Sequence, residues 1–190
     1  ACRSEYVVCI DADTQLKQDA VSRLMKHFIA DKDKRIGAVA GNVKVGNQRN
    51  MLTYWQAIEY TSSQNFDRMA YSNINAITVV PGAIGAFRKE VIEEVGGFTT
   101  DTLAEDCDLT MSINEHGYII ENENYAVAMT EAPETLRQFV KQRIRWCFGV
   151  MQAFWKHRSS LFSPSKKGFG LWAMPNMLIF QYIIPTFSPL

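Results

Sequence analysis

The chain has 190 residues, 47% apolar and 21% charged, enough to bury one domain-sized core. Its 20 basic and 20 acidic residues cancel, which excludes the strongly basic field of a nucleic-acid binder and leaves any electrostatic function to local groups. Cys2, Cys9, Cys107 and Cys147 are scattered without a Cys-x-x-Cys pair, an arrangement that argues against a zinc site or a disulfide framework and suits a reduced, cytosol-facing domain.

In chain order, the polar start from Ala1 to Glu5 has no secretory-leader pattern and runs straight into Tyr6-Val7-Val8-Cys9-Ile10, a short β-branched run that reads as a buried strand. A chain that opens on a core strand is expected to be cut from something longer. Asp11-Ala12-Asp13-Thr14 is a polar turn, and Gln18 to Ile29 carries Val21, Leu24, Met25, Phe28 and Ile29 at helical spacing. Ile36 to Val45 is a second strand ending at the turn Gly46-Asn47. Strand, helix, strand predicts an α/β crossover and a largely parallel sheet.

Met51 to Tyr71 reads as helix and Ala76 to Val80 as strand, followed by the tight small-residue passage Pro81 to Ala86 before Phe87-Arg88. Lys89 to Val95 is a short helix closed by Gly96-Gly97. A helix opens at Leu103-Ala104-Glu105-Asp106-Cys107-Asp108 and stops at Gly117. Tyr118 to Ile120 and Tyr125 to Met129 are short strands, and Thr135 to Trp155 is a long helix. On that helix Gln142, Arg145 and Trp146 share one face, whereas Leu136, Val140, Ile144 and Cys147 form the apolar stripe of the other.

No residue from Gly168 to Leu190 is charged, and Leu171 to Leu190 is long enough for a span of about 20 residues. Pro175, Pro185 and Pro189 with Asn176 and Gln181 argue against a straight span. The reading adopted is an interfacial helix leading into a membrane segment, with Lys156, His157, Arg158, Lys166 and Lys167 as its cytoplasmic basic flank. A proline-broken hairpin in a soluble core is the alternative.

Three constellations carry candidate chemistry. Asp11-x-Asp13 follows the first strand, where open α/β sheets bind ligands, and two carboxylates so placed can share a hard cation such as Mg²⁺ or Mn²⁺ that grips a diphosphate. A solvated turn with a helix-capping Asp explains the same residues. Glu105-Asp106 with Asp108 suits a helix N-terminus, and a carboxylate held there in a cleft can also act as general base toward a sugar hydroxyl. Gln142, Arg145 and Trp146 offer a stacking platform and a cationic clamp, or equally a packed Trp with a snorkelling Arg.

In this order the pieces Asp11-Ala12-Asp13, Glu105-Asp106 and Gln142-Arg143-Ile144-Arg145-Trp146 resemble the processive family 2 glycosyltransferases, namely the cellulose, chitin and hyaluronan synthases and the bacterial poly-N-acetylglucosamine synthases. The resemblance runs from about Tyr6 to the end, and the tail from Trp146 is most similar to the last branch. It implies a nucleotide-diphospho-sugar transferase fold, GT-A-like, with a mostly parallel sheet flanked by helices, N-terminal strands missing and membrane-interface helices at the C-terminal end. Residues 1–155 would be the C-terminal part of the catalytic core and 156–190 the start of the transmembrane region.

The resemblance further implies that Asp13 and Asp11 hold Mg²⁺ or Mn²⁺ on the donor diphosphate and that Asp106 is the catalytic base, with Glu105 orienting the site. Gln142, Arg145 and Trp146 would line the donor and acceptor channel, and Gly82, Gly85 and Phe87 would approach the acceptor sugar. The implied reaction is inverting, metal-dependent transfer, with UDP-N-acetylglucosamine as the expected donor and a growing β-linked polysaccharide as acceptor. The expected setting is the cytoplasmic face of the inner membrane, in an integral membrane protein with possible partner subunits or fused domains and no nucleic acid.

The family's nucleotide-binding half should precede the Asp-x-Asp, and only ten residues precede Asp11 here. A fragment lacking part of the uridine pocket, and poorly active alone, is therefore expected. A non-processive transferase, a glycoside hydrolase using two of the acids and a non-catalytic membrane-peripheral module are the alternatives weighed against this reading.

Overall fold

The computed structural model describes residues 3–187. Its frame is a five-stranded sheet with the order β1-β4-β3-β5-β2. The strands are β1 (Tyr6–Cys9), β2 (Gln15–Leu16), β3 (Ile36–Val45), β4 (Gly85–Arg88) and β5 (Ile119–Thr130). The α/β class is as expected, but the sheet is mixed. Among the described residues β3 and β5 pair in parallel, while β1 with β4, β3 with β4 and β2 with β5 run antiparallel. The crossover from β1 through helix α1 (Ala20–Ala30) still brings β3 back in the direction of β1; β4 has been inserted between them.

Alternation along β3 sets the two faces. Val39, Val43 and Val45 pack with Leu24 and Phe28 of α1, as period-two patterning requires of a strand buried on both sides. Ala38 and Ala40 turn to the other face, against Ile77, Phe87, Val91, Leu109 and Ile113. That second layer is made by α4 (Lys89–Glu94) and α5 (Glu105–Glu115). The long helix α6 (Leu136–Lys156) lies behind α5, and Phe154 joins Cys107, Met111, Phe169, Met174 and Met177 in a third cluster.

Three local expectations are corrected. Ala76 to Val80 is extended but not a strand, because α5 takes its polar groups: Asn114 Nδ2 donates to Ile77 O at 2.8 Å and Val80 N donates to Thr110 Oγ1 at 2.9 Å. The strand of this region is β4, whose Gly-Ala-Phe-Arg sequence reads as the tail of a turn. Tyr118–Ile120 and Tyr125–Met129 belong to one strand, β5, with a register shift opposite Gly41 and Asn42.

The helical run that follows β3 explains how this irregularity is tolerated. It comprises α2 (Met51–Glu59), a π-helical stretch Tyr60–Phe66 and α3 (Asp67–Ser72). The wider turns aim Asn65 Nδ2 at Val43 O (3.0 Å) and Arg68 Nη1 at Gly41 O (3.1 Å), so carbonyls beside the shifted ladder keep partners.

The third correction concerns the apolar stripe of α6, which faces outward rather than into the core. Leu136, Val140 and Ile144 are 69%, 45% and 63% exposed, and Cys147 is exposed too. The helix instead buries Gly149, Ala153 and Phe154. Beyond it, Phe169–Ala173, α7 (Met174–Asn176), Met177–Ile183 and α8 (Ile184–Phe187) continue as successive helical turns, π-helical in the two stretches flanking α7. Among the described residues no helix is long and apolar enough to cross a membrane. Cys2 and the last three residues of the expected membrane segment lie outside the described residues.

Candidate active site

β1 delivers Asp11 to the end of the sheet where β4 begins, because Cys9 pairs with Gly85. The backbone just ahead of β4 therefore lies against the Asp11 carboxylate: a Cβ on Gly82 would sit 3.2 Å from Asp11 Oδ1. The Gly82 N–H also lies near enough to Asp106 to favour its carboxylate. One residue thus lies beside both acids, and a cavity of about 510 Å³ opens beside it, walled in part by Asp11, Gly82, Glu105 and Asp106.

Asp13 is placed by the other edge of the sheet. β2 pairs with β5 through Gln15 and Met129, and Thr130 Oγ1 donates to Asp13 Oδ1 at 3.4 Å. Asp106 stands in the first turn of α5 with Glu105 and Asp108, where the helix terminus favours negative charge, and it accepts from the Cys107 N–H at 2.8 Å. Burial nevertheless pushes the Asp106 carboxyl above its ordinary range; the Cys107 and Gly82 N–H groups restrain the rise, and Glu105 adds to it. Asp11 is also raised, first by burial, then by Asp13 and Glu105, with Arg145 pulling the other way. The Asp-x-Asp turn, the Glu-Asp pair and the Arg of α6 therefore share one electrostatic field.

The remaining expected residues divide. Trp146 is partly buried against the sheet cluster, with the Arg143 guanidinium 4.8 Å from its ring centroid. Arg145 is exposed, and Gln142 holds a buried Oε1 without a hydrogen-bond partner. Phe87 is 2% exposed beneath the ring of Phe98, and a Cβ on Gly85 would meet Val80 at 2.6 Å. Of the three residues expected near the acceptor, Gly82 is the one that lines the cavity.

Sequence patterning missed three contributors. Arg68 is buried behind the acids; burial lowers its pKa to about 10, and Asp106 opposes that fall. Phe98 and Thr102 line the cavity from the loop before α5. A lone Arg in a helix and a Phe after two glycines carry no motif, so only the tertiary approach reveals them. Cys9 also lines the cavity, where burial and then Asp11 raise its pKa and keep it a neutral thiol.

Among the described residues no three His, Cys, Asp or Glu side chains are gathered as a metal cage. The donor set still fits a hard cation held by two carboxylates and completed by a ligand's phosphate oxygens. The mutual repulsion that raises Asp11 beside Asp13 and Glu105 is what such a cation would relieve.

Comparison with known proteins follows the same lines. The model of the glycosyl transferase family group 2 matches residues 6–190. The poly-beta-1,6-N-acetyl-D-glucosamine synthase of Staphylococcus aureus (strain COL) is 33% identical over 181 residues, 95% of this chain and 42% of that protein. The synthase of the same name from Staphylococcus epidermidis is 33% identical over 155 residues, 80% of this chain and 37% of that protein. The chain thus spans less than half the length of these relatives. Among solved structures, the mannosyltransferase PcManGT from Pyrobaculum calidifontis, in complex with GDP-Man and Mn²⁺, superposes with a TM-score of 0.62 at 25% identity, covering 98% of this chain and 52% of that one.

Proposed function

This chain belongs to the family 2 glycosyltransferases, and from that premise we propose that it transfers N-acetylglucosamine, with inversion, from UDP-N-acetylglucosamine to a growing β-linked polysaccharide. The observation that carries the reading is the meeting of Asp11 and Asp106 at Gly82, on the wall of one cavity. The identity to synthases of a β-1,6-linked N-acetylglucosamine polymer supports the choice of sugar and acceptor.

Asp106 is the base. Its carboxylate, whose proton affinity is raised by burial, takes the proton from the acceptor hydroxyl as that oxygen attacks the anomeric carbon. The new glycosidic C–O bond forms on the face opposite the departing diphosphate, whose C–O bond breaks, so an α-linked donor gives a β-linked product. Arg145, already coupled to Asp11, faces the charge that collects on the leaving group. Asp11 and Asp13 would hold Mg²⁺ or Mn²⁺, and that ion, when bound, neutralises the diphosphate. Trp146, stacked on Arg143, borders the sugar path, and Gln142 with its unpaired Oε1 offers an acceptor for a ligand hydroxyl.

Placement against the cytoplasmic face of a membrane is part of the proposal. It is supported by the exposed apolar row Leu136, Val140, Ile144, Phe148, Met151 and Trp155 along α6, and by exposed Leu171, Trp172 and Phe180 beyond it. Rows of this kind, with an aromatic residue at the end, suit a lipid interface.

The test is a screen of nucleotide-sugar donors against the full-length membrane protein with Mg²⁺ or Mn²⁺, reading nucleoside diphosphate release and product mass. A ladder of N-acetylglucosamine products is expected. A product carrying a single added sugar would rule out polymerisation.

A further inference from the structure

Part of the cavity wall is built by Phe98, Thr99, Thr100 and Thr102, to which the chemistry above gives no role. Gly96 and Gly97 take φ values of +94° and +78°, the left-handed conformation that ends α4 and redirects the chain. Phe98 follows on the cavity wall and stays 46% exposed, although its ring is seated edge-on against buried Phe87, centroids 6.1 Å apart at 76°. This is a large apolar face held rigidly and left open beside carboxylates.

The loop is pinned from beneath. Thr99 Oγ1 donates to Asp108 Oδ2 at 2.7 Å, Lys156 Nζ reaches the same oxygen at 2.9 Å and Asp101 at 3.1 Å, and Leu103 N donates to Gln152 Oε1 at 3.0 Å. Thr102, only 9% exposed, lines the cavity with a buried Oγ1 that has no hydrogen-bond partner. A hydroxyl so placed ordinarily has one.

An aromatic face, an unspent hydroxyl and a set of carboxylates describe a site for a neutral polyol. A pyranose presents a C–H face to an aromatic ring and hydroxyls at its rim to oxygen partners. We propose that Phe98 and Thr102 form a sugar subsite for the terminal ring of the acceptor, stacked on Phe98 and hydrogen-bonded to Thr102 Oγ1. That orientation directs the acceptor hydroxyl toward Asp106. The inference rests on the transferase reading above.

The test uses the intact polypeptide with the β-linked N-acetylglucosamine tetramer as acceptor. Phe98→Ala raises the acceptor KM about tenfold, Phe98→Tyr about twofold, and Thr102→Val about fivefold, while the donor KM moves by less than about twofold. Phe162→Ala, at an exposed aromatic residue outside the cavity lining, leaves both constants unchanged. Ligand-observed NMR of the tetramer reads the subsite without turnover: binding by the parent chain and its loss in Phe98→Ala support the proposal even if no donor is consumed, which would overturn only the reading of the reaction. No tetramer binding, an unaltered acceptor KM in Phe98→Ala, or equal rises in donor and acceptor KM would each overturn the subsite.

Discussion

The Nε2 of His157 lies 2.9 Å from Asp108 Oδ1, and through that contact the far end of α6 is locked to the first turn of α5. His157 also meets Glu115 through Nδ1 at 2.7 Å. Burial alone would lower its pKa, but Glu115 and then Asp108 outweigh burial and raise it. A raised histidine contributes stability that is complete below its unfolded value of about 6.5 and is lost as pH climbs through the folded value. Thermal unfolding followed from about pH 6 to 9 is therefore expected to show a decline in the parent that His157→Gln lacks.

Asp106→Asn separates chemistry from folding. Loss of the base is expected to lower transfer by about 10² to 10⁴, with the midpoint of thermal unfolding at neutral pH unchanged or raised. Burial penalises the Asp106 charge, and the amide removes that penalty. In the parent, the acidic limb of the rate profile lies above the ordinary carboxylate range, activity rising as pH passes through the raised value. A stability loss in this variant would contradict the account of the site's electrostatics.

Arg143 is expected to govern Trp146 without touching substrate. Its guanidinium grips Glu59 with bonds of 2.5 and 2.8 Å and lies over the rings of Phe139 and Trp146. Lys cannot reproduce a planar, bidentate, stacked contact. Arg143→Lys should lower transfer about tenfold, accompanied by a shift in tryptophan fluorescence.

Gly149 tests the seam between α6 and the acids. A Cβ there would lie 2.7 Å from Ala104 N and 2.8 Å from Leu103 C, backbone atoms immediately before Glu105. Gly149→Ala must push α6 away, and a cost of about 1–3 kcal/mol is expected from overpacking. The loss of transfer should exceed that of an overpacked site remote from the cavity.

Chelation offers a readout of Asp11 and Asp13. EDTA is expected to abolish transfer and Mn²⁺ or Mg²⁺ to restore it. Asp11→Asn or Asp13→Asn should weaken Mn²⁺ binding at least tenfold by electron paramagnetic resonance titration, in the absence of donor.

How much of this was legible in the sequence follows from where each signal resides. Ile36 to Val45 was readable as a strand because both its faces meet apolar layers, and its observed limits are those expected. Asp11-x-Asp13 and Glu105-Asp106 stood out as motifs at an element's end, but that Asp11 and Asp106 border one cavity is a tertiary fact. The outward stripe of α6 was not, because periodicity finds an apolar face without telling what covers it, and the inward face is built of small residues such as Gly149 and Ala153. Ala76 to Val80 failed for a related reason: its composition is that of a strand, but Asn114 and Thr110 supply its hydrogen bonds. Phe98 and Thr102 drew no attention because isolated loop residues have no period to violate.

The insertion of β4 between β1 and β3 bears on how the chain reaches this state. β1 cannot zip directly onto β3; Cys9 must find Gly85, with α1, β3 and the whole helical run of α2 and α3 between them in the chain. Pairing across so long a loop is entropically costly and slow. The opening strand is thus expected to join the sheet late, with Asp11, carried at its end, brought against Gly82 after the rest of the frame.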